Sequence, residues 1–285
     1  MSAFVQAISS GLALGALYAV LGVSFVVIHR VTGVVNLTQG ALAVLGAYVM
    51  SSVVGHLPWL VAVLVSAVAS ALTAAVIGFT VLSAKVRLEY SPIIMTLGLA
   101  IASQGVFVLV WGDIPRTYPP ISRDAFQVLG AFVLPQQVLL LGTVILILVV
   151  LHLFFVSSYL GKALTAAALN PRSAQLVGVN LLRAGIVSFA IAGLVAGLAG
   201  SISGALVPVT PESHLALAVV GFAAGVCGNL HSPTGALLGG LGLGQLTSFV
   251  ATYGLPQYQE VVALTALVLV LLVRTLLARR GGVLS

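Results

Sequence analysis

Charged residues are scarce in this sequence of 285 residues. Aspartate, glutamate, lysine and arginine together account for 6% of it, whereas 60% is hydrophobic and the mean hydropathy is +1.23. A soluble domain of this size would have too little polar surface to face water. Because backbone groups in lipid must pair within their own segment, the long apolar runs predict an all-α bundle that crosses a membrane many times.

Several chemical signatures are missing as well. The single cysteine, Cys227, excludes an intramolecular disulfide, and its apolar surroundings favour a packed thiol. The sequence has no G-x-x-x-x-G-K-[ST] loop for nucleotide phosphates and no H-E-x-x-H, and its five histidines fall near the ends of apolar runs without metal-ligand spacing. The net charge of +6 is spread singly, not clustered as in nucleic-acid-binding proteins. We expect a chain that is not an enzyme and that binds no cofactor and no nucleic acid itself.

Apolar segments of the length that a membrane helix needs, about 20 residues, recur along the whole chain. The segment 215–227 is short for a full crossing, so it and 235–252 are also candidates for a broken or re-entrant pair. We therefore expect about 8–10 transmembrane or re-entrant segments in a single domain, 1–285. The candidate spans are 4–28, 34–54, 59–84, 92–111, 136–156, 184–206, 215–227, 235–252 and 258–277.

The basic residues indicate how these spans are oriented. With the N-terminus outside the cell, nine lysines and arginines fall on the cytoplasmic side and two outside, as the positive-inside rule favours. This orientation places the C-terminus in the cytoplasm and the proline-rich loop of residues 112–135 outside. The inner residues are Arg30, Lys85, Arg87, Lys162, Arg172, Arg183, Arg274, Arg279 and Arg280, and the outer ones are Arg116 and Arg123.

A polar segment between two spans, about 161–182, has the features of a separate structural element. Asn170 can cap a helix, Pro171 suits the first helical turn, and Gly178 can end the helix in a left-handed conformation. The segment is basic, so we expect it on the cytoplasmic side. The pattern predicts a short capped helix that is either a docking element or an ordinary amphipathic loop.

Uncharged polar residues enter the spans at few places. Asn36, Thr38 and Gln39 precede a glycine near the start of the second span, and irregular backbone at this depth is tolerated where it lines a cavity. Thr96 and Gln104 lie eight residues apart, roughly on one helix face, although Thr96 is equally explained by a hydrogen bond to its own helix. We predict that an aqueous path is lined by Asn36, Thr38, Gln39, Thr96, Gln104 and Asn229.

Three of these segments resemble the branched-chain amino acid type permeases of ABC importers. Residues 161–180 fit the family pattern G-[RK]-A-x-x-A-x-x-x-N-P-x-x-A-x-x-x-G-[IV]-N, and residues 91–99 fit S-P-x-x-x-T-x-G-[LI]. Residues 11–48 resemble the family's N-terminal signature. There the family usually has N-F-A-H-G, whereas this chain has Asn36-Leu37-Thr38-Gln39-Gly40, a departure that bears on the substrate.

The resemblance implies a permease subunit of an ATP-driven importer in the bacterial inner membrane. Its partners would be two ABC ATPase subunits that use the ATP, a second related permease, identical or different, and an extracytoplasmic solute-binding protein. The loop 161–182 would hold the coupling helix that the ATPases move. The residues that the resemblance assigns to this coupling are Gly161, Lys162, Ala166, Asn170, Pro171, Arg172 and Gly178.

The same resemblance implies a small polar solute, a branched-chain or related amino acid, although the family also imports urea, short amides and organic acids. Two other classes of transport protein remain as alternatives. An ion-coupled secondary transporter normally carries charged residues within its spans, and we find none at mid-span. A passive channel needs no such charge.

Overall fold

The computed structural model describes residues 2–84, 91–122, 124–128 and 131–254, together with residues 261, 264, 265, 268, 269 and 272. Most of the ninth predicted span, 258–277, and the basic residues Lys85, Arg87, Arg123, Arg274, Arg279 and Arg280 lie outside the described residues. The helices are α1 (Ser2–Thr32), α2 (Gln39–Val53), α3 (Trp59–Ser83), α4 (Ser91–Trp111), α5 (Pro135–Ser157), α6 (Tyr159–Leu169), α7 (Pro171–Leu176), α8 (Leu181–Ser203), α9 (Ser213–Cys227) and α10 (Pro233–Tyr253). The strands are β1 (Phe126–Val128) and β2 (Ala131–Val133).

Six helices among the described residues are long and apolar enough to cross a membrane, namely α1, α3, α4, α5, α8 and α10. This confirms the predicted α-helical membrane bundle. The short α9 also agrees with the prediction for 215–227, whereas α10, with 21 residues, is long enough to cross by itself.

The second predicted span, 34–54, is wrong at its start, because α2 begins only at Gln39 and has 15 residues. The side-chain oxygen of Asn36 accepts hydrogen bonds from the backbone N–H of Thr38 at 3.1 Å and from its hydroxyl at 2.7 Å. These bonds offer the backbone a turn in place of a helix. A helix of 15 residues spans about 22 Å, less than the hydrocarbon core.

Small residues hold the centre of the bundle together. The two glycines Gly193 and Gly197 of α8 lie against Ala74 and Ser70 of α3, where an added β-carbon would overlap the neighbouring helix. Close backbone approach of this kind supplies the packing that the hydrophobic effect cannot supply between helices in lipid. As a result α1 and α8 are mostly buried, while α4 and α5 are mostly exposed.

The proline-rich loop between α4 and α5, which the sequence predicts to lie outside, folds as a cap on one end of the bundle. Strands β1 and β2 form an antiparallel hairpin, and Arg116 pairs with Val209. The buried Tyr118 donates its hydroxyl hydrogen to the carbonyl of Ser201 at 2.6 Å, and burial raises the pKa of Tyr118, so the hydroxyl stays protonated. This bond ties the loop to the C-terminal end of α8.

Candidate functional site

The two short helices, α2 and α9, begin at the same place inside the bundle. A β-carbon on Gly40 would overlap the carbonyl oxygen of His214 and lie 2.6 Å from the backbone nitrogen of Ala218. Their first turns are therefore in direct backbone contact, and we call this contact the junction (residues 36–40 with 213–218).

From the junction the two helices run to opposite ends of the bundle. At the end of α2, Ser52 accepts a 2.8 Å hydrogen bond from the indole of Trp111, beside the folded loop. After α9, the carbonyl of Leu230 lies 3.3 Å from Nδ1 of His29 at the far end of α1. Each short helix thus reaches from the junction to one end of the bundle, and the junction lies between the two ends.

Four of the six residues predicted for the path meet at the junction. The hydroxyl of Thr96 on α4 accepts a hydrogen bond from the backbone N–H of Leu37 at 3.3 Å and donates to the carbonyl of Ile93 at 3.0 Å. Thr96 therefore bonds its own helix and also holds the segment that contains Asn36 and Thr38. The side chains of Asn36, Thr38, Gln39 and Thr96 are buried.

Several buried polar atoms at the junction have no hydrogen-bond partner among the residues that the structure describes. They include both side-chain atoms of the Gln39 amide, Nδ2 of Asn36 and Nε2 of His214. An unpaired polar group in a protein interior costs about 1–3 kcal/mol, so these atoms do not contribute to the stability of the fold.

His214 is the residue that the sequence did not place correctly. We expected its position near an apolar boundary to be interfacial, but its side chain is fully buried, with Nδ1 2.7 Å from the carbonyl of Pro211. Residues 210–214 form a polar run before a short apolar segment, as residues 36–40 do. This similarity was the available signal that His214 lies at the start of a short helix within the bundle.

An apolar cavity of about 360 Å³ adjoins the junction between α2, α3 and α4. Thr38 connects the two, because it lines the cavity and also bonds to Asn36. Farther from the junction the lining includes Phe107 and Trp111, and the Trp111 ring stacks on Tyr48 at 5.3 Å.

The other two predicted path residues lie elsewhere. Gln104 is partly buried on α4, about 12 Å along the helix from Thr96. Asn229 is exposed in the turn between α9 and α10, where its φ of +57° is left-handed. The structure therefore does not bring Gln104 or Asn229 to the junction.

The polar segment 161–182 forms the two helices α6 and α7. The side chain of Asn170 accepts a hydrogen bond from the backbone N–H of Ser173 at 3.0 Å, Pro171 occupies the first turn of α7, and Gly178 has φ +89°. The predicted short capped helix is confirmed. The helix before it, α6, was not predicted, and the side chain of Ser158 caps its first turn by accepting from the N–H of Gly161 at 2.9 Å.

The two sides of this helix pair differ in chemistry. Leu164, Ala167 and Ala174 are buried in a cluster with Ala184, so α6 and α7 pack on the first turn of α8. On the other side Lys162 and Arg172 are exposed, as are Leu169 (81%), Leu176 (90%) and Val177 (78%). Exposed apolar side chains of this size next to cations are typical of a binding surface.

Comparison with known proteins agrees with this architecture. The family model described as "Branched-chain amino acid transport system / permease component" matches residues 7–271. The high-affinity branched-chain amino acid transport system permease protein LivH of Escherichia coli (strain K12) is 26% identical over 95% of this chain and 93% of that protein. The corresponding permease protein BraD of Pseudomonas aeruginosa is also 26% identical, over 95% of this chain and 94% of its own length.

An archaeal protein is similar over nearly the same region. The probable branched-chain amino acid transport permease protein LivH of Methanocaldococcus jannaschii is 25% identical over 90% of this chain and 86% of its own length. The family match covers most of the chain and includes the junction and both helices of the polar segment. The chain therefore belongs to the family of permease components of branched-chain amino acid transport systems.

Proposed function

We propose that this chain is the membrane-spanning subunit of an ABC importer whose ATPases act on it through α6 and α7. The observation that carries the proposal is the separately capped helix pair α6–α7, which packs on α8 with one side and exposes apolar and basic side chains on the other. Membership in a family of transport permeases agrees with it.

The exposed side of the helix pair suits a groove on a partner protein. Covering a leucine or valine side chain contributes about 1.5–3 kcal/mol, and Leu169, Leu176 and Val177 are largely uncovered. Lys162 and Arg172 would meet acids at the edge of that groove. Gly161, Ala166, Asn170, Pro171 and Gly178 would shape the two helices for docking.

The positions of the cations favour a cytoplasmic location for this surface. Val31 of α1 packs with α6 and α8, so Arg30, Lys162, Arg172 and Arg183 lie at one end of the bundle. Among the described arginines and lysines, only Arg116 lies at the opposite end. The positive-inside rule then puts α6–α7 in the cytoplasm and the N-terminus outside.

In this scheme the solute crosses at the junction. Asn36, Thr38, Gln39 and Thr96 line the narrowest part of the path, and Gln104 and Asn229 line its outer and inner approaches. A second permease, identical or different, completes the path. By analogy with the names of the relatives, the solute is a branched-chain or related amino acid.

The chain itself has no catalytic role and binds no cofactor in this scheme. Two ATPase subunits hydrolyse the ATP, and an extracytoplasmic binding protein delivers the solute to the folded loop between α4 and α5. The complex works in the bacterial inner membrane.

The test is reconstitution of the tagged chain with its copurifying subunits in proteoliposomes. We expect ATPase subunits to copurify and uptake to require ATP.

The double variant Asn170→Ala with Arg172→Ala should lose uptake and bind the ATPases more weakly, because it removes a helix cap worth about 1 kcal/mol and a surface cation. Arg183→Ala, an exposed cation at the same end of the bundle, is the matched control and should transport normally. Full uptake without ATPase subunits, or normal uptake by the double variant, would contradict the proposal.

A further inference from the structure

A second cavity, of about 430 Å³, lies far from the junction at the end of the bundle where the cations collect. It is lined by the last turns of α1, by the C-terminal half of α5 and by Pro233 and Thr234 at the start of α10. Both α5 and α10 pack on α1, while they make little contact with each other. The cavity is therefore the space that the two helices leave between them over α1.

This cavity opens toward the outside of the bundle. Val149 and Leu153 line it and are also exposed, and Ile145 continues the same exposed face of α5 at the four-residue spacing of a helix. Because α5 is apolar enough to cross a membrane and is mostly exposed, this face meets either lipid acyl chains or another membrane protein. The apolar part of the lining suits a hydrocarbon chain.

His152 is the unexplained residue in this lining. It is exposed on α5 and has no hydrogen-bond partner in the part of the chain that the structure describes. An unpaired polar side chain on a membrane-facing surface is costly, so it marks a place where a polar group arrives from outside the chain. The other polar side chains of α5 all have partners, namely Gln136, Gln137, Thr143 and Ser157.

Arg30 adds a positive charge to the same cavity. Its guanidinium group forms no ion pair and no hydrogen bond with any described residue. The acids that the structure describes are Asp113, Asp124 and Glu212, which belong to the loop between α4 and α5 and to the start of α9, so none of them lies at this end. The cavity thus combines a hydrocarbon-lined groove with a charge that the described residues leave uncompensated.

The depth of these groups matches that of a phospholipid head group. Helix α5 has 23 residues and is about 34 Å long, so its ends reach beyond a hydrocarbon core of about 30 Å. Arg30, His152 and Thr234 all lie within about 8 Å of the end of their own helix. A guanidinium group, an imidazole and a hydroxyl can each donate a hydrogen bond to a phosphate oxygen, and the guanidinium can donate two.

We propose that the cavity between α1, α5 and α10 binds one anionic phospholipid, from the cytoplasmic leaflet in the orientation given above. Arg30 pairs with its phosphate, assisted by His152 and Thr234, and an acyl chain follows Val149 and Leu153 along α5. Basic pockets between helices on the cytoplasmic side suit anionic head groups, which that leaflet carries. The inference goes beyond the proposed transport function and does not depend on it.

The test measures which lipid stays with the purified complex. The complex is incubated in detergent with equal amounts of phosphatidylcholine and phosphatidylglycerol and is then analysed by native mass spectrometry. We expect phosphatidylglycerol to be retained in preference to phosphatidylcholine. The double variant Arg30→Ala with His152→Leu should lower this retention about tenfold or more, because it removes the charge-assisted hydrogen bonds to the phosphate.

Two control variants separate this site from general attraction to charge. Arg183→Ala removes an exposed cation at the same end that does not line the cavity, and it should leave retention unchanged. Arg30→Lys keeps the positive charge and should also retain the lipid. Thermal unfolding checks the fold, because all variants should have the Tm of the unmodified complex in phosphatidylcholine alone, whereas phosphatidylglycerol should raise the Tm of the unmodified complex and not that of the double variant.

Three results would overturn the inference. The first is equal retention of the two lipids, and the second is undiminished retention of phosphatidylglycerol by the double variant. The third is release of the second permease from the double variant, because the groove would then be an interface between proteins. None of these results would bear on whether uptake requires ATP, so the proposed function stands or falls separately.

Discussion

Gly40→Ala is the substitution that most directly probes the contact between α2 and α9. The added β-carbon would overlap the carbonyl oxygen of His214 and lie 2.6 Å from the nitrogen of Ala218, and both are backbone atoms that cannot rotate away. Overpacking of this kind costs about 1–3 kcal/mol, while replacing a helical glycine by alanine alone returns about 0.5–1 kcal/mol. We therefore expect a net destabilisation of about 1–2 kcal/mol and a reduced rate of uptake.

The matched control is Gly142→Ala on α5, where no atom of the described part of the chain lies within 4 Å of the added β-carbon. Only the gain in helix propensity applies there, so this variant should be more stable than the unmodified protein by about 0.5–1 kcal/mol. Thermal unfolding of both purified complexes in the same buffer measures whether each substitution raises or lowers the stability. Equal or higher stability of Gly40→Ala would show that the first turns of α2 and α9 do not touch.

Two further substitutions test the ends of the bundle. Tyr118→Phe leaves the Ser201 carbonyl without its 2.6 Å partner and should lower the free energy of unfolding by about 1 kcal/mol. Thermal unfolding measures this loss, and Tyr253→Phe, at an exposed tyrosine, is the control. Gly178→Ala forces alanine into a φ of +89° at the end of α7 and should cost about 1–2 kcal/mol, seen as faster amide hydrogen exchange in α7. Unchanged exchange would mean that the end of α7 does not need the left-handed residue.

The parts of the fold that the sequence predicted are those that local chemistry determines. Asn170, Pro171 and Gly178 act on backbone groups within a few residues, so the short capped helix could be predicted. The start of α2 was predicted too early because Val34 and Val35 are as apolar as the helix that follows. The hydrogen bonds of the Asn36 side chain to Thr38 hold a turn at this place, so that α2 begins only at Gln39.

The candidate site could not be predicted in the same way, because it depends on contacts between residues far apart in the sequence. His214 is buried where the first turn of α9 packs on Gly40 of α2, and the polar run of residues 210–214 does not by itself specify this contact between residues far apart in sequence. The same holds for the separation of Gln104 and Asn229 from the other path residues, because helix periodicity fixes the face of a residue but not its depth in the bundle. The β1–β2 hairpin was missed because strands of three residues carry too little alternation to be recognised.

A series of packing contacts connects the proposed docking surface to the junction. The helices α6 and α7 pack on Ala184 in the first turn of α8, Gly197 and Gly200 of α8 lie against α2, and Gly40 of α2 lies against α9. The contacts from α8 to α2 and from α2 to α9 are between backbones and leave no flexible side chain to absorb a displacement. Packed interfaces also move between discrete arrangements instead of deforming gradually. A push on α6–α7 would therefore reach the junction through α8 and α2. The same push has no comparable route into α4, which packs only loosely on the bundle, so we expect the proposed path to open at the contact of Thr96 with Leu37.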